Sequence, residues 1–189
     1  CLDKIMSASG FLLDLVNDVL DMNKLESGEI AIKEEPFELT KIINEVSSVI
    51  ETQADEQCID YSVDRGSIEY DNLIGSSLHL RQILQNILSN AIKFSYTGGR
   101  IDVDCREENG SLTVIVKDRG QGIGEEHQQG LLDDGLHFIS YGTQKEKGSG
   151  LGLQLCKDFV KMNHGKLWFE SKEGKGTTFY FSVPVEESL

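Results

Sequence analysis

The sequence lacks the features that mark several large classes of protein. No run of about 18 or more apolar residues is present, so no segment is predicted to span a membrane. The four cysteines are far apart, without a C-x-x-C pair and without a Cys/His group at zinc spacing. They are therefore expected to be free thiols in a reducing cytosol. Internal repeats and low-complexity segments are also absent.

Positive charge is scarce as well. The chain has 18 Lys and Arg residues against 32 Asp and Glu residues, which gives a net charge of −14. A nucleic-acid partner needs a basic surface that can displace counterions, so this composition argues against one. It leaves a nucleotide ligand open, because backbone amides and one or two lysines can form a phosphate site.

The first part of the chain, residues 1–27, predicts one amphipathic helix that ends at Gly28. Its apolar residues recur at alternating intervals of three and four, the pattern of a coiled-coil seam. They are Ile5, Ala8, Leu12, Leu15, Val19 and Met22. We expect a helical bundle across a dimer, and the alternative is a helix packed on its own domain. Since the chain starts at Cys1 without an initiator Met or a signal-peptide pattern, we expect a fragment of a longer protein.

Helices and strands are mixed in the remainder of the chain. The segments expected to be strands are 29–33, 58–65, 70–75, 99–107, 111–118, 166–174 and 177–185. The segments expected to be helices are 37–57, 77–94 and 151–163. Pro36 is expected to stop the first strand and start the first of these helices, and residues 119–150 to be irregular. Because hairpins supply much of the sheet, the pattern indicates an α+β two-layer sandwich rather than a doubly wound parallel sheet.

The helix at 77–94 carries a narrow polar stripe. With Gln82 set at 0° and about 100° per residue, Lys93 falls at about 20° on the helical wheel. Asn86 then falls at about 40° and Asn90 at about 80°, while the apolar residues occupy the arc from about 100° to 280°. Asparagine is unfavourable inside helices, so the stripe indicates either a ligand site or a solvated face. Amide oxygens can ligate a hard cation such as Mg²⁺, and a lysine can bind phosphate.

Two glycine-rich stretches follow this helix. In "DRGQGIG", residues 118–124, Asp118 ends a strand and precedes three glycines that allow a ligand to approach the backbone. A carboxylate there would repel phosphate but suits an exocyclic amine such as that of adenine. In "KGSGLGLQL", residues 147–155, the glycines lead into a helix, whose N-terminal amides and dipole favour an anion. Either stretch alone is also compatible with an ordinary glycine-rich turn.

Taken together and in this order, the three motifs resemble the ATP-binding domain of sensor histidine kinases. This domain is one of a wider ATPase group with gyrase B, the mismatch-repair protein MutL and the heat-shock chaperones. "LRQILQNILSNAIKFS" resembles the kinase N box, "DRGQGIG" the G1 box, "GSGLGL" the G2 box and "GKGTTFYFSVP" the closing strand. Gyrases and chaperones usually carry a catalytic glutamate on this helix. The present helix has Gln82 and no glutamate, which favours the kinases.

The resemblance extends toward the N-terminus. "SGFLLDLVNDVLDMNKLESGEIAIKEEPFEL" is similar to the second helix of the kinase dimerisation domain and its link to the ATP-binding domain. The implied domains are therefore part of a dimerisation domain at 1–28 and an ATP-binding catalytic domain at 29–189. The implied fold of the second domain is a Bergerat fold, with a mixed, mostly antiparallel sheet against about three helices.

A site for ATP and Mg²⁺ is also implied by the resemblance. The residues expected to bind the nucleotide are Asn86, Asn90, Lys93, Asp118, Gly120, Gly122, Gly148, Gly150, Leu151, Gly152 and Thr177. Asp118 would take the adenine amine, and Gly122 and Thr177 would line the base. A lid would span 125–147.

The phosphate end of the implied site belongs to the N box. Asn86 and Asn90 would hold Mg²⁺ and position the phosphates, and Lys93 would bind phosphate oxygens. These three residues are therefore the expected catalytic residues. Lys145 or Lys147 in the lid would reach the γ-phosphate.

The implied activity is that of a protein histidine kinase. A histidine nitrogen would attack the γ-phosphate of Mg-ATP in line, within a cytoplasmic homodimer formed through the N-terminal helix, for relay to a response regulator or receiver domain. The sequence contains no His-Glu or His-Asp motif on a first dimerisation helix, and its lid lacks the usual F-x-x-F. We therefore expect this chain to bind ATP or ADP without phosphorylating itself and without contacting a membrane. The alternatives are a signalling module of the same fold that has lost nucleotide binding and, disfavoured by the missing glutamate, an ATPase of the gyrase or chaperone type.

Overall fold

Helices and strands alternate along the chain in the computed structural model, which describes residues 16, 20, 35–66, 72–108, 110–132, 142–143 and 151–184. The strands within these residues are β1 (Glu35–Glu38), β2 (Asp60–Asp64), β3 (Asn72–Gly75), β4 (Arg100–Glu108), β5 (Ser111–Asp118), β6 (Lys166–Lys172) and β7 (Gly176–Pro184). The helices are α1 (Leu39–Glu56), α2 (Ser77–Phe94), α3 (Glu125–Gln128) and α4 (Gly152–Met162). The helix predicted at 1–27 and the strand predicted at 29–33 lie outside the described residues, except for Val16 and Leu20, which are helical and exposed.

Five of the strands form one sheet in the order β2-β4-β5-β7-β6. Strand β2 is parallel to β4, and the other three pairs are antiparallel. Strands β1 and β3 form a separate antiparallel pair. Helix α2 packs between α1 and α4 and against β5, so the helices form one layer and the sheet the other. The prediction of an α+β two-layer sandwich with a mostly antiparallel sheet is therefore confirmed.

The core lies between the sheet and the helix layer. Along β4 and β5, buried apolar residues alternate with more exposed ones, which is the pattern of strands with one face packed and one face toward water. The buried residues of these two strands are Ile101, Val103, Cys105, Leu112, Val114 and Val116. The helices contribute large apolar side chains from one face each, among them Ile43, Ile87 and Phe159.

Helix α2 has the bounds that its sequence pattern predicts. Its N-terminus is capped by Ser76, whose Oγ accepts a hydrogen bond from the backbone N–H of His79 at 3.3 Å. Every apolar residue predicted for the 100° to 280° arc is buried. The stripe from Gln82 to Lys93 is half-buried, whereas Gln85 and Ser89 are exposed. The stripe is therefore distinct from the solvated face of the helix.

The start of α1 differs from the prediction. Pro36 does not separate a strand from a helix: it lies within β1, opposite Ile74 of β3, and the helix begins at Leu39. Strand β1 pairs on one side only, and a proline is tolerated there because its missing N–H can face away from the partner strand. Within the predicted irregular region, the four residues of α3 are helical.

The sequence predicts free cysteines and no membrane-spanning segment. The cysteines among them, Cys58, Cys105 and Cys156, are free thiols. Burial raises the pKa of Cys105 to about 12, so this thiol is unreactive at neutral pH. No helix within the described ranges combines the length and the apolar character that crossing a bilayer requires.

The packing of α2 makes a prediction about stability. Leu88 is fully buried in the core, whereas Leu78 on the same helix is 61% exposed. Leu88→Ala is expected to lower the free energy of unfolding by about 2–5 kcal/mol, because it removes packed atoms and leaves a cavity. Leu78→Ala, the matched control, is expected to change it by no more than about 0.5 kcal/mol. Urea denaturation measures both values, and equal losses would contradict this orientation of α2.

Candidate functional site

Asp118 is a buried carboxylate at the end of β5. Alternate residues of a strand face the same side, and Asp118 continues the row of buried apolar residues of β5 toward the helix layer. It is only 5% exposed. Its Oδ1 accepts hydrogen bonds from the backbone N–H groups of Gly120 at 2.8 Å and Thr177 at 3.1 Å. Burial raises the pKa of Asp118, and these two hydrogen bonds act in the opposite direction.

The second oxygen of this carboxylate is available to a ligand. Oδ2 of Asp118 accepts no hydrogen bond from the part of the chain that the structure describes. The side chain is largely buried, but this oxygen is not among the fully buried atoms without a partner, so a molecule that brings a hydrogen-bond donor can reach it. An exocyclic amine of a nucleobase has this chemistry.

The turn after β5 requires glycine because neighbouring backbone approaches it closely. A Cβ atom at Gly120 would overlap the carbonyl oxygen of Phe94, and one at Gly122 would overlap that of Lys172. Gly122 also has a φ of +67°, which side-chain-bearing residues rarely adopt. Gln121 holds the turn in place, since its N–H donates to the Phe94 carbonyl at 2.9 Å. The turn is thus fixed between the end of α2 and the end of β6.

Ser171 and Gln128 support this turn, and the sequence reasoning missed both. The Ser171 hydroxyl accepts a hydrogen bond from the Ile123 N–H at 2.9 Å and lies 2.8 Å from the hydroxyl of Thr177. Gln128 Nε2 donates to the carbonyl oxygens of Ile123 at 2.7 Å and Ser171 at 3.2 Å. Thr177 is buried, and its backbone N–H is already bound to Asp118. A serine in a strand and a glutamine in a one-turn helix carry no sequence signal of such a role.

The polar stripe of α2 faces the beginning of α4. Asn86 Nδ2 donates to the carbonyl oxygen of Gly152 at 3.3 Å. A Cβ at Gly152 would lie in van der Waals contact with this amide, 3.5 Å from Cγ of Asn86, and the glycine leaves that space open. Asn90 lies one turn further along α2 and is half-buried. The Lys93 ammonium lies 5.2 Å from the centre of the Phe94 ring at the end of the helix.

Helix α4 begins beside this stripe. Leu151 is its N-cap residue, and no side chain caps the helix. The first amides of a helix and its dipole attract anions, which suits a phosphate group. Gly148 and Gly150 of the predicted phosphate loop lie outside the described residues, as do Lys145, Lys147 and most of the predicted lid.

The predicted adenine end and the predicted phosphate end of the site lie at two different positions along α2. The turn that contains Gly120 packs on Phe94, the last residue of α2, and Asn86 contacts α4 about 12 Å back along the helix axis. Asp118 therefore lies toward one end of the stripe, and the beginning of α4 toward the other. Of the eleven predicted site residues, nine are described: eight lie on α2, at the beginning of α4 or at the end of β5 and its turn, and Thr177 of β7 is joined to them through Asp118.

A surface depression of about 470 Å³ lies elsewhere, between α1 and β2. Its lining includes Glu51, Asp55 and Asp60. Three carboxylates around a shallow depression repel an anionic ligand such as a nucleotide. We therefore assign the candidate site to the α2 stripe, where the charge and the backbone amides suit phosphate.

The donors along the stripe suit one kind of metal ion. Within the described ranges, no group of three or more His, Cys, Asp and Glu residues is arranged to hold a metal. The stripe instead offers the amide groups of Asn86 and Asn90, and the Nδ2 bond of Asn86 leaves its Oδ1 as an acceptor. Amide oxygens are hard donors that fit Mg²⁺ when phosphates complete its ligand set.

Comparison with known proteins agrees with this arrangement. The family described as "Histidine kinase-, DNA gyrase B-, and HSP90-like ATPase" matches residues 75–187, which include α2, the turn after β5 and β7. The autoinducer 2 sensor kinase/phosphatase LuxQ of Vibrio vulnificus is 32% identical over 192 residues. That alignment covers 98% of this chain and 22% of LuxQ, so the chain spans about a fifth of this relative.

Two solved structures share the fold. Full-length ShkA in complex with AMPPNP superposes with a TM-score of 0.79 at 24% identity, over 94% of this chain and 36% of that one. Histidine kinase ThkA in complex with the response regulator protein TrrA gives a TM-score of 0.76 at 23% identity, over 97% of this chain and 50% of that one. Since the family match spans more than half of the chain, the chain belongs to the histidine kinase-, DNA gyrase B- and HSP90-like ATPase family, and the relative LuxQ is a sensor kinase.

Proposed function

We propose that this chain binds ATP together with Mg²⁺ and is the catalytic part of a sensor histidine kinase. The observation that carries the proposal is the carboxylate of Asp118. One of its oxygens is held by two backbone amides, and the other accepts no hydrogen bond from the described residues. The exocyclic amine of adenine can donate to that second oxygen, with Gly122 and Thr177 beside the base. The turn after β5 fixes the position of the carboxylate, so it needs little reorganisation on binding.

The other end of the nucleotide would lie along the α2 stripe. Lys93 and the amides at the beginning of α4, including Leu151 and Gly152, would bind phosphate oxygens. Asn86 and Asn90 would hold Mg²⁺ through their amide oxygens. An ion held there would neutralise charge on the phosphates.

Within a longer protein, the γ-phosphoryl group would pass to a histidine nitrogen and then to a response regulator or receiver domain. Catalysis of this kind depends mainly on positioning and on charge stabilisation, which the rigid turn and the helix termini can provide. The solved complexes of ShkA with AMPPNP and of ThkA with a response regulator support this proposal by analogy. We further propose a cytoplasmic location for this portion, residues 1–28 as part of a dimerisation domain that pairs two chains, and residues 29–189 as the catalytic domain.

A second candidate is a signalling module of the same fold that does not bind nucleotide. The lid sequence, which lacks F-x-x-F, favours this reading. Direct binding measurements separate the two candidates, because the second predicts no nucleotide affinity at all.

The first prediction from this proposal concerns nucleotide binding. Calorimetry is expected to give a Kd between about 1 μM and 1 mM for Mg-ATP. Asp118→Asn is expected to weaken binding by about 10- to 100-fold, because an amide NH₂ would face the adenine amine and a charge-assisted hydrogen bond is lost. No heat from the wild-type chain would favour the second candidate.

Asp64→Asn is the matched control for this substitution. Asp64 ends β2, and its Oδ1 accepts a hydrogen bond from the N–H of Gly66 at 2.9 Å, the same Asp-x-Gly turn as at Asp118. Asp64 lies on the edge strand β2, two strands away from Asp118 on β5, so Asp64→Asn is expected to bind Mg-ATP as the wild type does. Equal binding by all three proteins would refute the role of Asp118.

The second prediction concerns the pH dependence of stability. Burial raises the folded-state pKa of Asp118 above its unfolded value of about 3.9, so ionisation of Asp118 disfavours the folded state. The loss of stability caused by this ionisation is absent below the unfolded pKa. It grows as the pH rises above that value and is complete once the pH has passed the folded pKa. Asp118→Asn is therefore expected to have a higher free energy of unfolding than the wild type at pH 7, and the difference is expected to vanish below about pH 3.9.

Urea denaturation of both proteins from pH 3 to pH 8 measures this difference. Together with the binding data, it separates function from stability, since the variant should be more stable and yet bind less nucleotide. A variant less stable than the wild type at pH 7 would show that the carboxylate stabilises the apo fold.

The third prediction concerns phosphoryl transfer. The chain has four histidines, none followed by Glu or Asp. Incubation with ATP labelled at the γ-phosphate is expected to leave no phosphohistidine on this chain, although the same sample binds ATP. Stable label on His79, His127, His137 or His164 would overturn this expectation.

A further inference from the structure

The carbonyl groups at the end of α2 are bound by residues far away in the sequence. The last carbonyls of any helix lack partners within the helix. Here the carbonyl of Phe94 accepts a hydrogen bond from the N–H of Gln121. The carbonyl of Lys93 accepts one from the N–H of Thr143 at 3.0 Å. The carbonyl of Ser95 accepts one from the hydroxyl of Thr143 at 2.8 Å, and the same hydroxyl lies 3.3 Å from the Lys93 carbonyl.

Thr143 therefore binds the last carbonyl groups of the helix with both its backbone N–H and its hydroxyl. Ser95 is fully buried, so its carbonyl cannot exchange the Thr143 hydroxyl for bulk water. Gly142, which precedes Thr143, is buried as well. Because the bonds span about fifty positions of the sequence, they fix the last turn of α2 against a separate segment of the chain.

This last turn carries Lys93. A lysine side chain has a flexible four-carbon stem, so the region that its ammonium can reach depends on where the backbone is held. The Thr143 bonds hold the backbone at Lys93 and two residues further on, at Ser95. Displacements of about 1 Å in positioning groups can change reaction rates by as much as 100-fold, so the place where this backbone is held can matter for a group that binds phosphate.

We propose that Thr143 is a positioning residue for the phosphates of the nucleotide, acting through Lys93, whose long side chain can reach along the stripe from its Asp118 end. The inference rests on the proposed nucleotide-binding function and adds a specificity: Thr143 contributes to the affinity for phosphorylated nucleotides and not to the affinity for adenosine. The two residues hold different parts of the site: Thr143 binds the carbonyls of Lys93 and Ser95, whereas Asp118 is held by the N–H groups of Gly120 and Thr177.

The test compares two ligands on three variants. Thr143→Val keeps the shape and the N–H of residue 143 but loses the hydroxyl, so the Ser95 carbonyl loses its partner. The Kd for Mg-ATP is expected to rise by about 5- to 10-fold, the low end of typical coupling between two sites, while the Kd for adenosine changes by less than about twofold. Thr143→Ser restores the hydroxyl and is expected to restore Mg-ATP affinity.

Thr52→Val is the matched control. Thr52 is exposed on α1, and its hydroxyl also donates to a backbone carbonyl, that of Ser48 at 3.3 Å. This variant loses the same kind of hydrogen bond far from the site and is expected to bind both ligands as the wild type does. Titrations followed by NMR amide shifts measure both ligands over a wide range of affinity.

Several outcomes overturn the inference. Equal weakening of Mg-ATP and adenosine by Thr143→Val, unchanged binding of both, or failure of Thr143→Ser to restore affinity would each contradict it. If the wild type bound neither ligand, the proposed function would fall with it. If the wild type bound nucleotide but Thr143→Val did not weaken Mg-ATP more than adenosine, the role of Thr143 would be refuted and the proposed function would stand.

A measurement on the wild-type chain does not depend on how the valine variant folds. If Thr143 and the phosphates are coupled through Lys93, Mg-ATP must stabilise the bond from the Thr143 N–H to the Lys93 carbonyl. Amide hydrogen exchange at Thr143 is then expected to slow at saturating Mg-ATP and to change little at saturating adenosine. Equal slowing by the two ligands would refute the coupling.

Discussion

The pair of hydrogen bonds that Oδ1 of Asp118 accepts from Gly120 and Thr177 links the parts of this site. They connect the end of β5, the turn after it and the beginning of β7, which are distant in the sequence. The same turn then binds the end of α2 through Gln121 and the Phe94 carbonyl. The position of the carboxylate relative to the polar stripe is thus set by backbone contacts rather than by flexible side chains.

The carboxylate of Asp118 lies in the core-facing row of β5, where burial makes its charge unfavourable for folding. A carboxylate in a row otherwise formed by Val and Leu residues is desolvated, and this burial raises the pKa of Asp118. Satisfying one oxygen with two amides reduces the disadvantage but leaves the second oxygen without a partner among the described residues. Ligand sites commonly combine such local instability with a rigid surrounding scaffold. Ser171, Gln128 and Thr143 are part of that scaffold, because each hydrogen bonds to backbone at the edge of the site.

Much of the fold could be predicted from the sequence, because its strongest patterns are local. Helix α2 keeps a helical apolar period over eighteen residues and has a serine cap, and the hairpins have alternating strands around glycine turns. The prediction was wrong at Pro36, where proline lies inside an edge strand. Helix α1 begins after Glu38 without a side-chain cap, so the sequence carried no local signal for its first residue. The one-turn helix α3 was missed because four residues are too few to show a period.

For the site, the sequence by itself determined which residue types occur in which motif and which side of α2 is polar. It also determined that Asp118 ends a strand, and the order of motifs indicated the family. Only the tertiary structure decided that this carboxylate is buried, that Thr177 binds it, and that Ser171 and Thr143 hold neighbouring backbone. The physical reason is that periodicity reports the face of a single element. A hydrogen bond between loops about fifty residues apart depends on how several elements pack together, and no local pattern encodes that.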